Sequence, residues 1–110
     1  MSRSAEERFS DILAAIDRCL EYREHLGGGD AVLARMALDA VLRNLAVIGE
    51  AVRALPTEAR DGFVAVPWAA IAGLRNVIVH EYFRIQPELI IGILDDELIP
   101  LADALRAHRR

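Results

Sequence analysis

The sequence predicts an all-α fold: an up-down bundle of four helices, the last of them kinked near Pro100. Three observations over its 110 residues carry that expectation. Apolar side chains recur every three or four positions in four separate segments, the period of a helix with one buried face. Gly27-Gly28-Gly29, Pro56, Pro67 and Pro87 punctuate the chain between those segments, where turns belong. The one strongly β-branched run, Val77-Ile78-Val79, has no second strand candidate to pair with. This length suits one core, so residues 1–110 are expected to form a single domain.

Ser4 can cap the first helix, and Glu7, three residues on, completes a capping box. Phe9, Ile12, Leu13, Ile16 and Leu20 then fall on one face, and the glycine triplet ends the helix. Asp30 caps the second helix, expected over residues 31–55. Leu38, Leu45 and Val52 repeat by seven, as do Val41, Ile48 and Leu55. That seam is the mark of shallow-angle packing against another helix. Ala34, Ala37, Ala40, Ala46 and Gly49 keep its other sides thin, so a neighbouring backbone can come close, within the chain or across a dimer. Pro56 stops it. Residues 56–67 read as irregular, with one helical turn at residues 57–60. The third helix, over residues 67–80, buries Ile71, Leu74 and Ile78. The fourth opens at Pro87, with Leu89, Ile90, Ile93, Leu94 and Leu98 as its apolar face. Leu101 and Leu105 keep the phase beyond Pro100, which predicts a kink or restart there and not a loop. Residues 106–110 are basic and expected to fray.

The chain is 54% apolar but only 5% aromatic, so the core must be aliphatic. No apolar run approaches the ~20 residues that span a bilayer, and the first residues lack the apolar stretch of a signal peptide. A cytoplasmic protein without membrane association is the simplest expectation. Cys19 stands alone among apolar neighbours, which predicts a buried thiol and no disulfide framework. The net charge of −4 and pI near 5.3 argue against strong nonspecific binding to nucleic acid, an objection only a local basic patch can answer. All 13 basic residues are arginine, whose planar fork holds two phosphate oxygens at once. His25 and His108 lack neighbours at metal-ligand spacing and read as surface residues. Asp95, Asp96 and Glu97 are adjacent and fan around a helix, so no metal site is expected there. No cofactor is implied. Trp68 reads as a core anchor before a base-stacking platform.

One stretch carries chemistry: Arg75-Asn76-Val77-Ile78-Val79-His80-Glu81-Tyr82. Arginine can hold a phosphate, histidine can move a proton near neutral pH, and tyrosine offers a modifiable hydroxyl. Asn76 and His80, four apart, stack on one face of a helix, so the amide can hydrogen-bond the imidazole. Arg75 and His80, five apart, diverge by about 140° on a regular helix. Either the helix ends near Val79 and swings His80 round, or a second copy completes the site. The chemistry favours the second. Metal-free RNA cleavage needs a base for the 2′-hydroxyl, an acid for the leaving oxygen and a cation for the transition state. A two-fold dimer supplies two histidines and two arginines.

Residues 66–83, which contain that stretch, closely resemble the HepT-like branch of the HEPN superfamily. Residues 39–51, centred on Leu45, and the ending from Asp95 to Leu101 do so too. The Arg-x4-His-x-Tyr motif is complete, with a polar residue, Asn76, at its second position. The resemblance implies a dimerising helical bundle whose two motifs line a shared cleft. It further implies a ribonuclease toxin of a toxin–antitoxin pair, partnered by an MntA-type nucleotidyltransferase antitoxin that transfers AMP to the motif tyrosine. On this chain His80 becomes the acid/base, Arg75 the phosphate and transition-state ligand, Asn76 a supporting residue and Tyr82 the modification site. An anionic adduct on Tyr82 would block the cleft and repel phosphates. Arg43 and Arg84 are candidates for the RNA path, with solvated ion pairs the competing reading; Glu50, seven residues after Arg43, is a weaker candidate. The rival function is a non-catalytic dimeric binding module that docks a nucleotidyltransferase.

Overall fold

The first helix starts where side chains satisfy its free amides. Ser4 Oγ accepts from the Glu7 amide at 3.1 Å, and the Glu7 carboxylate accepts from the Ser4 amide at 3.0 Å, the reciprocal cap that the spacing predicts. The chain's computed structural model describes residues 3–108, and α1 occupies Ala5–Tyr22. A 3-10 turn, Arg23–His25, follows. Gly27 then takes φ +68°, a backbone conformation that costs glycine nothing. α2, Ala31–Arg53, begins under Asp30, whose carboxylate accepts from the Leu33 amide at 3.0 Å.

The heptad seam of α2 is the centre of the core. Val41, Leu45, Ile48, Val52 and Leu55 are buried; Leu38, the first residue of the seam, is only half-buried. From α1 come Phe9, Ile12, Leu13 and Ile16, with Cys19 fully enclosed and its Sγ 3.9 Å from the Val41 carbonyl. That burial pushes the thiol pKa up to about 12, so Cys19 acts as a small apolar residue. α2 packs against α1 on one side and against the third stave of the bundle on another, while the final helix lies against α1.

The third stave differs from the single helix expected over residues 67–80. After the short α3, Thr57–Asp61, it forms two pieces, α4 at Trp68–Ala72 and α5 at Leu74–Glu81. Pro67 caps α4 from a non-helical conformation, and the interruption falls at Gly73, where ψ opens to −10°. The break faces Gly49 of α2. A Cβ on Gly49 would lie 3.2 Å from the Arg75 amide nitrogen, 3.3 Å from the Ile71 carbonyl oxygen and 3.4 Å from that of Ala72. Here backbone meets backbone, so the thin side of α2 is used within the chain.

The fourth stave is α6, Pro87–Ile93, a π-helical turn at Leu94–Leu98, and α7, Ile99–His108. Pro100 has no amide hydrogen, and its ring crowds the carbonyl four residues back. The π turn just before it, with the Ile99 amide donating to the Leu94 carbonyl, widens the spiral and carries the chain past the proline. Ile90, Leu94, Leu98, Leu101 and Leu105 are buried, whereas Leu89, expected on that face, is 54% exposed. Residues 106–108 do not fray. Arg106 pairs with Asp17, and His108 Nε2 lies 3.2 Å from Glu6. The His108 ring sits edge-on to Phe9 and Phe63, and Phe63 to Trp68, whose Nε1 donates to the Arg60 carbonyl at 3.1 Å. Arg109 and Arg110, the rest of that basic tail, lie outside the described residues. Among the described residues there is no strand, and no helix is long and apolar enough to cross a membrane.

Candidate active site

α5 is eight residues long and buries only Leu74 and Ile78, too little to hold a helix alone. Two polar contacts fasten it to α2. At its start Arg75 Nε lies 2.9 Å from Glu50 Oε1. Just past its end the Tyr82 hydroxyl donates to Asp39 Oδ1 at 3.1 Å. Asp39 and Glu50 lie eleven residues apart on α2, so both project in nearly one direction, with Arg43 between them within about 40°. α5 therefore lies antiparallel along one exposed stripe of α2, pinned near each end.

These contacts set the chemistry available to each group. The Arg75–Glu50 bridge is half exposed on both sides, so it adds at most about 1 kcal/mol to stability. It does orient the guanidinium: Nε is occupied, and the donors on the two terminal nitrogens stay free for an anion. Tyr82 is held more firmly in its neutral form. Its hydrogen bond to Asp39, then the negative charge of that carboxylate and partial desolvation, raise its pKa above the ordinary tyrosine value.

His80 and Asn76 are exposed, and neither side chain makes a hydrogen bond or ion pair among the described residues. The hydrogen bond that their spacing permits is not made within the single chain. Of the two arrangements considered for Arg75 and His80, the early helix end is not adopted. α5 stays helical through Glu81, and the backbone continues into a 3-10 turn at Tyr82–Arg84. Arg75 and His80 consequently point to different sides of one short helix. Around His80 the surface is apolar and uncovered: Val77 and Val79 are exposed, and Phe83 is 97% exposed.

Arg43 and Arg84 are both exposed and free of ion pairs among the described residues. Arg43 shares the stripe that α5 lies on, while Arg84 sits beyond it. Glu50 proves to be the arginine's anchor. Asp39 was not singled out by sequence reasoning, because its tie to Tyr82 spans 43 residues of chain and leaves no local pattern. Asp95 is taken up in a bidentate pair with Arg23, which joins the end of α1 to the π turn. No cluster of metal-ligating side chains occurs among the described residues.

Residues 12–108 match the family model described as ribonuclease HepT-like. The chain belongs to the ribonuclease HepT-like family. Its curated relatives include "Putative RNase MJ1380" of Methanocaldococcus jannaschii, 33% identical over 88 residues, which are 80% of this chain and 81% of that one. "Probable ribonuclease HepT" of Thermococcus cleftensis is 28% identical over 110 residues, the full length of both. "Putative RNase TTE0752" of Caldanaerobacter subterraneus subsp. tengcongensis reaches 46% over 61 residues, 56% of this HepT-like chain and 51% of that relative. No solved structure matches the chain.

Proposed function

We propose that this HepT-like chain is a metal-independent endoribonuclease working as a homodimer. In this reading it is the toxin of a toxin–antitoxin pair, silenced by an MntA-type nucleotidyltransferase that attaches AMP to Tyr82. The observation that carries the reading is the state of the motif. His80 is exposed and unpartnered among the described residues, on the same short helix as an Arg75 already oriented by Glu50. A histidine kept only for structure would be expected to hold a carbonyl or carboxylate.

The divergence of Arg75 and His80 on a helix intact to Glu81 favours assembly of the site from two copies. In a two-fold arrangement one histidine takes the proton of the ribose 2′-hydroxyl while the other protonates the departing 5′-oxygen. The arginines stabilise the charge on the pentacoordinate phosphorus. The apolar surface at Val79 and Phe83 is suited to being covered by the second copy. For silencing, Tyr82 Oη would attack the α-phosphorus of a nucleoside triphosphate, releasing pyrophosphate and giving up its proton. The adduct cannot keep the donated bond to Asp39, and it places a phosphate two residues from His80.

Cleavage of RNA in the presence of a chelator, by wild type, His80→Ala and Arg75→Ala, tests the catalytic core. Wild type should cleave, and each variant should lose on the order of 10²-fold or more. Equal cleavage by all three, or none by wild type, refutes the ribonuclease and leaves the non-catalytic docking module.

A further inference from the structure

An acidic protein that acts on RNA needs a place where its charge is locally reversed. Such a place lies between α1 and α2, as an open groove of about 560 Å³. Its lining includes Arg8 and Arg18 from α1, Arg43 from α2, and small residues such as Ala14 and Ala46. None of the three guanidinium groups makes a hydrogen bond or ion pair among the described residues. The two carboxylates of the lining, Asp11 and Glu50, are both engaged from outside it: Asp11 by Arg3 at 2.7 Å, Glu50 by Arg75 at 2.9 Å. The lining therefore carries three arginines against two carboxylates, a net charge of +1, with both carboxylates further offset by arginines outside it, although the whole chain has −4.

We propose that this groove binds the phosphodiester backbone of the RNA that Arg75 and His80 cleave, with Arg8, Arg18 and Arg43 as its phosphate ligands. The inference rests on the ribonuclease reading and extends it to substrate positioning. Continuity favours RNA over an acidic protein segment, because Glu50 at the groove's edge is the residue that anchors Arg75. Arg8 and Arg18 are separated by ten residues of helix, about 15 Å, enough to follow several nucleotides. The small alanines in the lining leave room for a backbone to approach, and forked guanidinium groups hold phosphate oxygens in pairs.

The experiment measures binding of a fluorescent single-stranded RNA across a salt series, on the His80→Ala background so that the probe survives. Replacing Arg8, Arg18 and Arg43 together with Gln should flatten the plot of log K against log salt by about 2, at about 0.7 per lost phosphate contact. Replacing all three with Lys should restore most of the slope, which a merely structural role would not do. An unchanged slope in the Gln variant, while wild type still cleaves RNA, overturns the groove and leaves the ribonuclease intact. The expected slope change in a protein whose wild type cleaves nothing upholds the groove and overturns the ribonuclease. A polyglutamate peptide serves as second probe. If the Gln variant loses that peptide but not RNA, the groove is a protein-docking site and the proposal fails.

Discussion

The α1–α2 pair and α5 are both helical and lie against each other, yet they are held by different forces. The pair is a wall of buried aliphatic side chains, with Ile12, Ile16, Val41, Leu45, Ile48 and Val52 entirely out of solvent. α5 buries two residues and is otherwise held by Glu50 and Asp39 near its ends and by backbone contact at Gly49. Burial is non-directional and strong, so the pair serves as scaffold. Polar ties are weak but directional, so α5 can be exposed and still present its side chains in fixed orientations. On the proposed ribonuclease reading, a surface that meets RNA and a second protein is better built the second way.

If that contrast is right, the largest loss of stability comes from the wall. Leu45→Ala should cost about 2–5 kcal/mol by denaturant unfolding, and a loss under about 1 kcal/mol would mean the seam is not the core. Gly49→Ala is a test of sign. In a helix interior alanine is worth about 1 kcal/mol more than glycine, so an uncrowded site would be stabilised. With three backbone atoms of the α4–α5 junction in the way, a loss of about 1–3 kcal/mol is expected instead, together with reduced RNA cleavage as Arg75 is displaced. A rise in stability would dissolve the close approach.

The smallest effect belongs to the polar tie. Asp39→Asn should change stability at neutral pH by well under 1 kcal/mol, of either sign. It should nevertheless lower the pKa of Tyr82 toward the ordinary tyrosine value, read by phenolate absorbance against a Tyr82→Phe control that isolates Tyr22. The direction follows from linkage. A raised pKa means the folded chain keeps a proton that the unfolded chain has released, so stability falls as pH rises through that interval. Asp39→Asn should narrow the interval, and an unmoved titration would show that the tie is absent in solution.

How much of this was legible beforehand depends on the reach of each interaction. The Ser4–Glu7 box, the Asp30 cap and the seam of α2 are set within one or two turns, and each stands where periodicity placed it. Pro100 announced a disturbance through its missing donor, though whether it would be a kink or a π turn was left to the packing of Leu94 and Leu98. Leu89, expected in the core, lies where a helical face has no neighbour to cover it, whereas Leu38 is partly covered at the edge of the core. The split at Gly73 was not legible either, because it answers to Gly49, a residue 24 positions away.

By itself the sequence determined the all-helical fold class, the aliphatic core and the family, and it named the candidate reactive side chains. Those depend on residue type and on spacings shorter than about eight residues. Only the tertiary structure decided that Arg75 is anchored on Glu50, that Tyr82 donates a hydrogen bond to Asp39, and that three arginines without an ion pair among the described residues share one groove. Each of these joins residues on different helices, and their meeting depends on the register and crossing of helices that no local pattern encodes.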